Sequence, residues 1–272
     1  MTPPLTGSLT FIGTATMLLR FGDLTLLTDP NFLHRGQRAY LGHGLSSKRL
    51  TEPALQIGEL PPLDGVLLSH LHGDHWDRVA QRGLDQSLPI VTTEHAAKRL
   101  HHRGFTGALG LATWKEQTLR SPGAMVRITA MPGRHAPGIA QRFLPPVMGS
   151  MLEFGPPDGT VALRVYISGD TLVIDDLKAI PRRFPDIDAG VFHLGGTTLP
   201  GGLMVTMDGR QGAQLLDLLS PAIVVPVHYD DYMIFKSPLA DFRREVERRG
   251  LGERIRYVER GRTIELGEGP RG

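Results

Sequence analysis

The chain contains no cysteine, which excludes disulfide bridges and thiolate metal sites and leaves nitrogen and oxygen as the only donors for a bound metal. It also lacks any apolar run of about eighteen residues, so no transmembrane helix is expected. Its first residues, Met1-Thr2-Pro3-Pro4-Leu5-Thr6-Gly7, include neither a basic residue nor the apolar centre of a secretion signal, and a cytoplasmic location is the expectation. An excess of charge is missing too: 30 Lys and Arg stand against 28 Asp and Glu, for a net +2. The basic residues are scattered, apart from Arg243-Arg244 and Arg248-Arg249, and this argues against a nucleic-acid partner. There is no fixed-period repeat and no low-complexity segment. The composition, 40% hydrophobic and 21% charged, is that of an ordinary globular protein, and 272 residues can bury the core of one large domain, expected here over residues 1–272.

Apolar segments punctuated by Gly and Pro give the order of elements. Strands are expected at Leu9–Ile12, Thr16–Phe21 and Leu24–Thr28, followed by a long loop over 31–60. A strand at Gly65–Leu68 precedes a helix over Thr93–Arg103 that stops at Gly104. Further strands are expected at Val126–Met131, Ser150–Phe154, Ala162–Ser168, Asp188–His193, Ala222–Val227, Ile255–Glu259 and Thr263–Leu266. Helices are expected at Asp208–Leu219 and Pro238–Arg249. Two strand-rich halves, each followed by helices, predict an α/β fold: an αββα sandwich of two sheets packed face to face with helices outside.

The richest segment in chemistry is Ser69-His70-Leu71-His72-Gly73-Asp74-His75-Trp76-Asp77, which places three histidines and two carboxylates directly after an apolar strand. Neutral imidazole and carboxylate are the ligands of a borderline divalent metal. His70 and His72, two residues apart, face the same way in extended chain, while Asp74 and His75 lie past the turn and reach a neighbouring ion. Three more candidates also follow apolar strands: His135 after Val126–Met131, Asp170 after Val165–Ser168, and His228 after Ile223–Val227. Strand ends at one edge of a sandwich converge on a common cleft. The ligands then divide into His70, His72 and His135 for one metal and Asp74, His75 and His228 for the other, with the two oxygens of Asp170 as a bridge.

With these motifs the chain resembles the metallo-β-lactamase superfamily. The resemblance is carried by His-x-His-x-Asp-His at 70–75, Pro-Gly-Arg-His at 132–135, Ser-Gly-Asp-Thr at 168–171 and Pro-Val-His-Tyr at 226–229. It implies the αββα sandwich and a binuclear hydrolytic site. Gly13-Thr14-Ala15-Thr16, Leu27-Thr28-Asp29-Pro30 and Trp76-Asp77 look like the branch containing N-acyl-phosphatidylethanolamine phospholipase D and the ascorbate-6-phosphate lactonases, although members of that branch often carry His where this chain has Thr14. Lactamases of the best-known type commonly place Cys where Asp170 stands, and this chain has none.

The expected function is hydrolysis of an ester-type bond, a lactone or a phosphodiester, by a metal-bridging hydroxide. The two divalent ions are expected to be zinc, with manganese or iron as alternatives. The substrate is read as a small molecule with an acyl or phosphate group; a non-catalytic binding protein on the same fold, or a nuclease, are the competing readings. Asp74, besides being a ligand, is expected to accept a proton, and His193, which ends an apolar strand, is a candidate acid for the leaving group. Asp29 and Asp77 are expected to orient metal-bound imidazoles. His34 and His43 read as loop residues, His101 and His102 as solvated surface, and the apolar segment 136–148 hints at a hydrophobic part of the substrate.

Overall fold

A computed structural model describes residues 6–199 and 201–267; most of the N-terminal stretch read for a secretion signal therefore lies outside the described residues. The chain opens with the expected meander, β1 (Gly7–Gly13), β2 (Thr16–Phe21) and β3 (Leu24–Thr28). A hairpin, β4 (Arg38–Gly42) and β5 (Leu45–Lys48), then occupies part of the segment expected to be loop. Its turn places Gly42, His43 and Gly44 all at positive φ, and only Ala39 and Leu41 of β4 point inward, so its alternation is too short to stand out in sequence. β6 (Gly65–Leu67), α1 (Arg78–Gly83), β7 (Ile90–Thr93), α2 (Glu94–His101) and β8 (Ala108–Leu111) complete the first half. Thr93 caps α2 by accepting from the Ala96 amide at 3.2 Å.

The second half runs β9 (Glu116–Arg120), β10 (Met125–Met131), β11 (Gly149–Gly155), β12 (Leu163–Ile167), α3 (Ile180–Arg183), β13 (Ala189–His193), the short hairpin β14 (Thr198–Leu199) and β15 (Leu203–Met204), α4 (Gly209–Leu219), β16 (Ile223–Val227), α5 (Leu239–Arg248) and β17 (Thr263–Gly267). The strand expected over Ile255–Glu259 is not formed. Ile255 makes a single bridge to Val224, and the chain around it is otherwise a 3-10 turn at Gly252–Arg254 and irregular backbone. Only one residue there finds a ladder partner, so β propensity has nothing to act on.

Two large sheets result, ordered β17-β1-β2-β3-β6-β7-β8 and β16-β13-β12-β11-β10-β9, with β4-β5 and β14-β15 as separate two-stranded sheets. Side-chain alternation then builds three layers of core. Met17, Leu19 and Phe21 of β2 meet Val126, Ile128, Phe154, Val191 and Val225 between the sheets. Leu18, Leu27 and Val66 face outward onto Trp76, Ala80, Ala97 and Leu100 under α1 and α2. Phe192 and Val224 face the other way onto Leu215, Leu216 and Phe242 of α4 and α5. This is the αββα sandwich, and it places the ends of β6, β10, β12, β13 and β16 beside one another. No helix of the described residues is long and apolar enough to cross a membrane.

Candidate metal centre

The side chains around those strand ends form three adjoining groups of potential donors, one of them Asp29, His75 and His193. His70, His72 and His135 have nitrogens within 4.8 Å of one another, and so do the donor atoms of Asp74, His75, Asp170 and His228. All of them except the partly exposed His72 are buried. His70 Nε2 faces His72 Nδ1 at 2.8 Å, and His75 Nε2 faces His228 Nε2 at 3.1 Å. Asp170 Oδ2 lies 3.3 Å from His75 Nε2 and Oδ1 lies 3.6 Å from His228 Nδ1.

Four of the imidazoles, those of His70, His75, His135 and His228, are aimed by a partner on the other nitrogen, whereas His72 Nε2 has none among the described residues. His135 Nδ1 pairs with the Val205 carbonyl at 3.1 Å and His228 Nδ1 with the Leu194 carbonyl at 3.2 Å, leaving both Nε2 atoms toward the centre. His70 Nδ1 meets Ser69 Oγ at 3.0 Å, and Ser69 donates from both its amide and its hydroxyl to Asp29 Oδ1. Asp29 Oδ2 stands 3.3 Å from His75 Nδ1. The Thr206 hydroxyl donates to Asp170 Oδ2 at 3.0 Å. Three non-glycine residues around the centre, Thr14, Asp29 and His228, hold positive φ, and the His228 amide bonds to the Thr14 carbonyl. Such backbone is costly and persists where the surroundings over-determine it.

The electrostatics favour a cation. Burial holds His70 well below the usual imidazole range, lowers His72 to about 3 and depresses His135, so these three present lone pairs. In the second group burial works against charge, yet Asp170, Asp29 and Asp74 together lift His75 well above its usual value. His228 is raised as well, chiefly by Asp170, against the opposing effect of burial. The carboxylates thus demand positive charge where the donors converge. His135 Nε2, Asp74 Oδ1 and Asp170 Oδ1 are buried without a hydrogen-bond partner among the described residues. Such atoms are expensive to bury unless something binds them, and nitrogen and oxygen donors in this arrangement fit divalent cations.

Residues 25–229 match the β-lactamase superfamily domain. The chain belongs to this family. It is 31% identical over 258 residues to a protein of Deinococcus radiodurans named a UPF0173 metal-dependent hydrolase, covering 94% of this chain and 97% of that one. Among solved structures it is similar to an isothiocyanate hydrolase from Delia radicum gut bacteria, with a TM-score of 0.79 at 20% identity over 96% of this chain and 100% of the other. It is also similar to a possible metal-dependent hydrolase from Veillonella parvula, with a TM-score of 0.77 at 21% identity over 96% and 99% of the two chains.

In this superfamily chain the centre opens into a cavity of about 250 Å³ lined by His72, Asp74, His135 and Asp170 on one side and by Leu41, Leu45, Phe143, Leu144, Leu199 and Leu203 on the other. The apolar segment after His135 contributes Ala140, Phe143 and Leu144 to this wall, while Ala136 and Met148 pack into the protein. His43, read as a loop residue, sits at the cavity's edge with its Nε2 2.6 Å from the Phe143 carbonyl, joining the β4–β5 turn to that segment. Its contact comes from a hairpin that the sequence reading did not find.

His193 and Asp77 sit away from the cavity wall. His193 lines neither this cavity nor the one outside it. Its ring is fully buried, stacked on His75 at 5.8 Å between centroids, with Nε2 3.4 Å from Asp29 Oδ2 and Nδ1 3.3 Å from Ser168 Oγ. Asp77 orients no imidazole; it caps α1 through the Val79 and Ala80 amides and accepts from Phe32 and Leu33. His34 pairs with Glu52, and His101 and His102 are exposed.

Proposed function

We propose that the protein is a binuclear metal-dependent hydrolase of an ester-type bond, a lactone or a phosphodiester. His70, His72 and His135 would hold one ion, and Asp74, His75 and His228 the other, with Asp170 shared. The observation that carries this reading is the convergence of seven donors with unpartnered His135 Nε2, Asp74 Oδ1 and Asp170 Oδ1 on the floor of an open cavity. The hydrolase names of the relatives support it, as does the likeness of Gly13–Thr16 and Asp29-Pro30 to the phospholipase D and lactonase branch. Zinc is the first expectation, with manganese or iron as alternatives.

Divalent cations at this centre would acidify water and polarise the bond under attack. The chain's own groups do the rest. Asp74, which lines the cavity and whose Oδ1 has no hydrogen-bond partner among the described residues, would take the proton of the attacking water and return it to the departing oxygen. Burial alone would raise the Asp74 carboxyl, but His75 and His228 more than offset that and keep it ionised at neutral pH. Leu41, Leu45, Phe143 and Leu203 exclude bulk water from the reacting bond, which strengthens every charge interaction there. Asp29, with His193 behind it, fixes the ring of His75. Assay of metal-loaded protein against a panel of lactones and chromogenic phosphodiesters tests the reading: turnover abolished by chelator and restored by metal supports it, and inertness after reconstitution with zinc, manganese and iron removes it.

A further inference from the structure

Outside the apolar cavity, and sharing with it the wall formed by Leu41, His43, His72, Phe143 and Leu144, lies a second and wider cavity of about 790 Å³. Arg99, Arg103, Arg134 and Arg142 all line it, joined by His95, and none of its lining residues is acidic. In a chain whose net charge is only +2, four guanidinium groups around one opening are a strong local imbalance. They come from separate elements: Arg99 and Arg103 from α2 and the turn after it, Arg134 from the loop before His135, and Arg142 from the 3-10 turn at Gly138–Phe143. Basic residues near the end of α2 suit its dipole, which accounts for Arg99 and Arg103 alone. It does not explain why Arg134 and Arg142 face the same space. Among the described residues only Arg134 of these four has an acidic partner. Arg134 reaches Asp176 at 3.8 Å, Arg103 bonds to the neutral Gln81, and the side chains of Arg99 and Arg142 have no hydrogen bond or ion pair among the described residues.

We propose that this outer cavity is an oxyanion subsite, so that the substrate carries a phosphate or carboxylate at one end, joined through a short apolar segment to the bond that is cleaved. The proposal rests on the hydrolytic reading above and adds the class of substrate. Guanidinium forks match the paired oxygens of both groups. His72 borders both cavities, which puts the anionic end beside the metal centre with the apolar segment against Phe143 and Leu144. The exposed position of the arginines makes the interaction sensitive to salt.

The experiment uses metal-loaded protein and three p-nitrophenyl acyl esters that differ only in ending in methyl, carboxylate or phosphate. The wild type should favour one or both anionic esters in kcat/KM by about 10-fold or more over the methyl ester, less so as salt is raised. In the Arg99→Ala/Arg142→Ala double variant that ratio should fall toward one, while Arg243→Ala, an exposed arginine of α5, leaves the ratio intact. The two anionic arms tell a phosphate site from a carboxylate site. Wild-type protein that handles all three esters alike overturns the subsite and leaves the hydrolase reading standing. If no ester is cleaved, calorimetric titration with phenylphosphonate decides: binding weakened about 10-fold in the double variant at unchanged metal content upholds the subsite and fails the hydrolytic reading, and binding equal in both proteins overturns the subsite.

Discussion

Asp29 Oδ2 lies 3.3 Å from His75 Nδ1, so a carboxylate that reaches no open cavity controls the ring whose Nε2 faces Asp170 and His228. Asp29 is fully buried; burial alone would raise it, and His75 and His193 bring it down to about 2. It is therefore ionised at all working pH values and fixes both the orientation and the basicity of His75.

Asp29→Asn should weaken the ion held by His75 by about 10–100-fold in affinity, with a parallel loss of activity restored in part by excess metal. Competitive titration with a chromophoric chelator measures this. Unchanged affinity would mean that the contact serves packing alone.

His193 offers a sharper distinction. As a positioning residue behind His75 and Asp29, His193→Ala should lower metal affinity and activity together and leave the pH profile of kcat/KM unaltered in shape. A proton donor to the leaving group would instead lose activity at full metal content, with a weakened alkaline limb and with good leaving groups spared.

Much of this centre was legible in the sequence because each ligand follows an apolar strand whose end must lie at one edge of a sandwich. The structure clusters His70, His72 and His135 apart from Asp74, His75 and His228, with Asp170 in the second cluster. The depth of His193 was not legible. Strand alternation tells which face a side chain takes, and it cannot tell a residue lining the cleft from one stacked behind a ligand. Asp77 failed for another reason: an acidic residue just before an unrecognised short helix reads as a free carboxylate, although four amides consume it. The β4–β5 hairpin is local, but its alternation is too short to stand out, and the contact of His43 with Phe143, 100 residues away, is one that no local pattern encodes.

Asp77→Ala should destabilise the fold by about 2–4 kcal/mol, since it removes a helix cap and leaves the Phe32 and Leu33 amides unpaired in the interior. A fall of about 5–10 °C in the melting temperature of the metal-loaded protein is expected. Metal affinity measured well below that temperature should stay at the wild-type level, because Asp77 touches no ligand.

Metal uptake should release protons. Asp170, Asp29 and Asp74 raise His75 well above the usual imidazole range and His228 is raised by Asp170 and Asp74, which favours their protonated forms before metal is bound. A cation must displace those protons, so affinity rises with pH and falls on acidification. Calorimetric titrations in buffers of different ionisation enthalpy should give a net release of one proton or more per protein; no release would contradict the charge state of His75.

Asp170→Asn keeps the shape of the shared ligand and removes its charge. The variant should remain folded by circular dichroism, lose at least one ion and lose turnover. Retention of both ions with normal turnover would rule out the bridge.

Elemental analysis of protein purified without chelator tests the binuclear centre most directly. Close to two equivalents of zinc, manganese or iron are expected per chain, falling to about one in His135→Ala, which removes a donor from only one of the groups. A wild-type stoichiometry of one or less that metal supplementation does not raise would contradict the two-metal assignment.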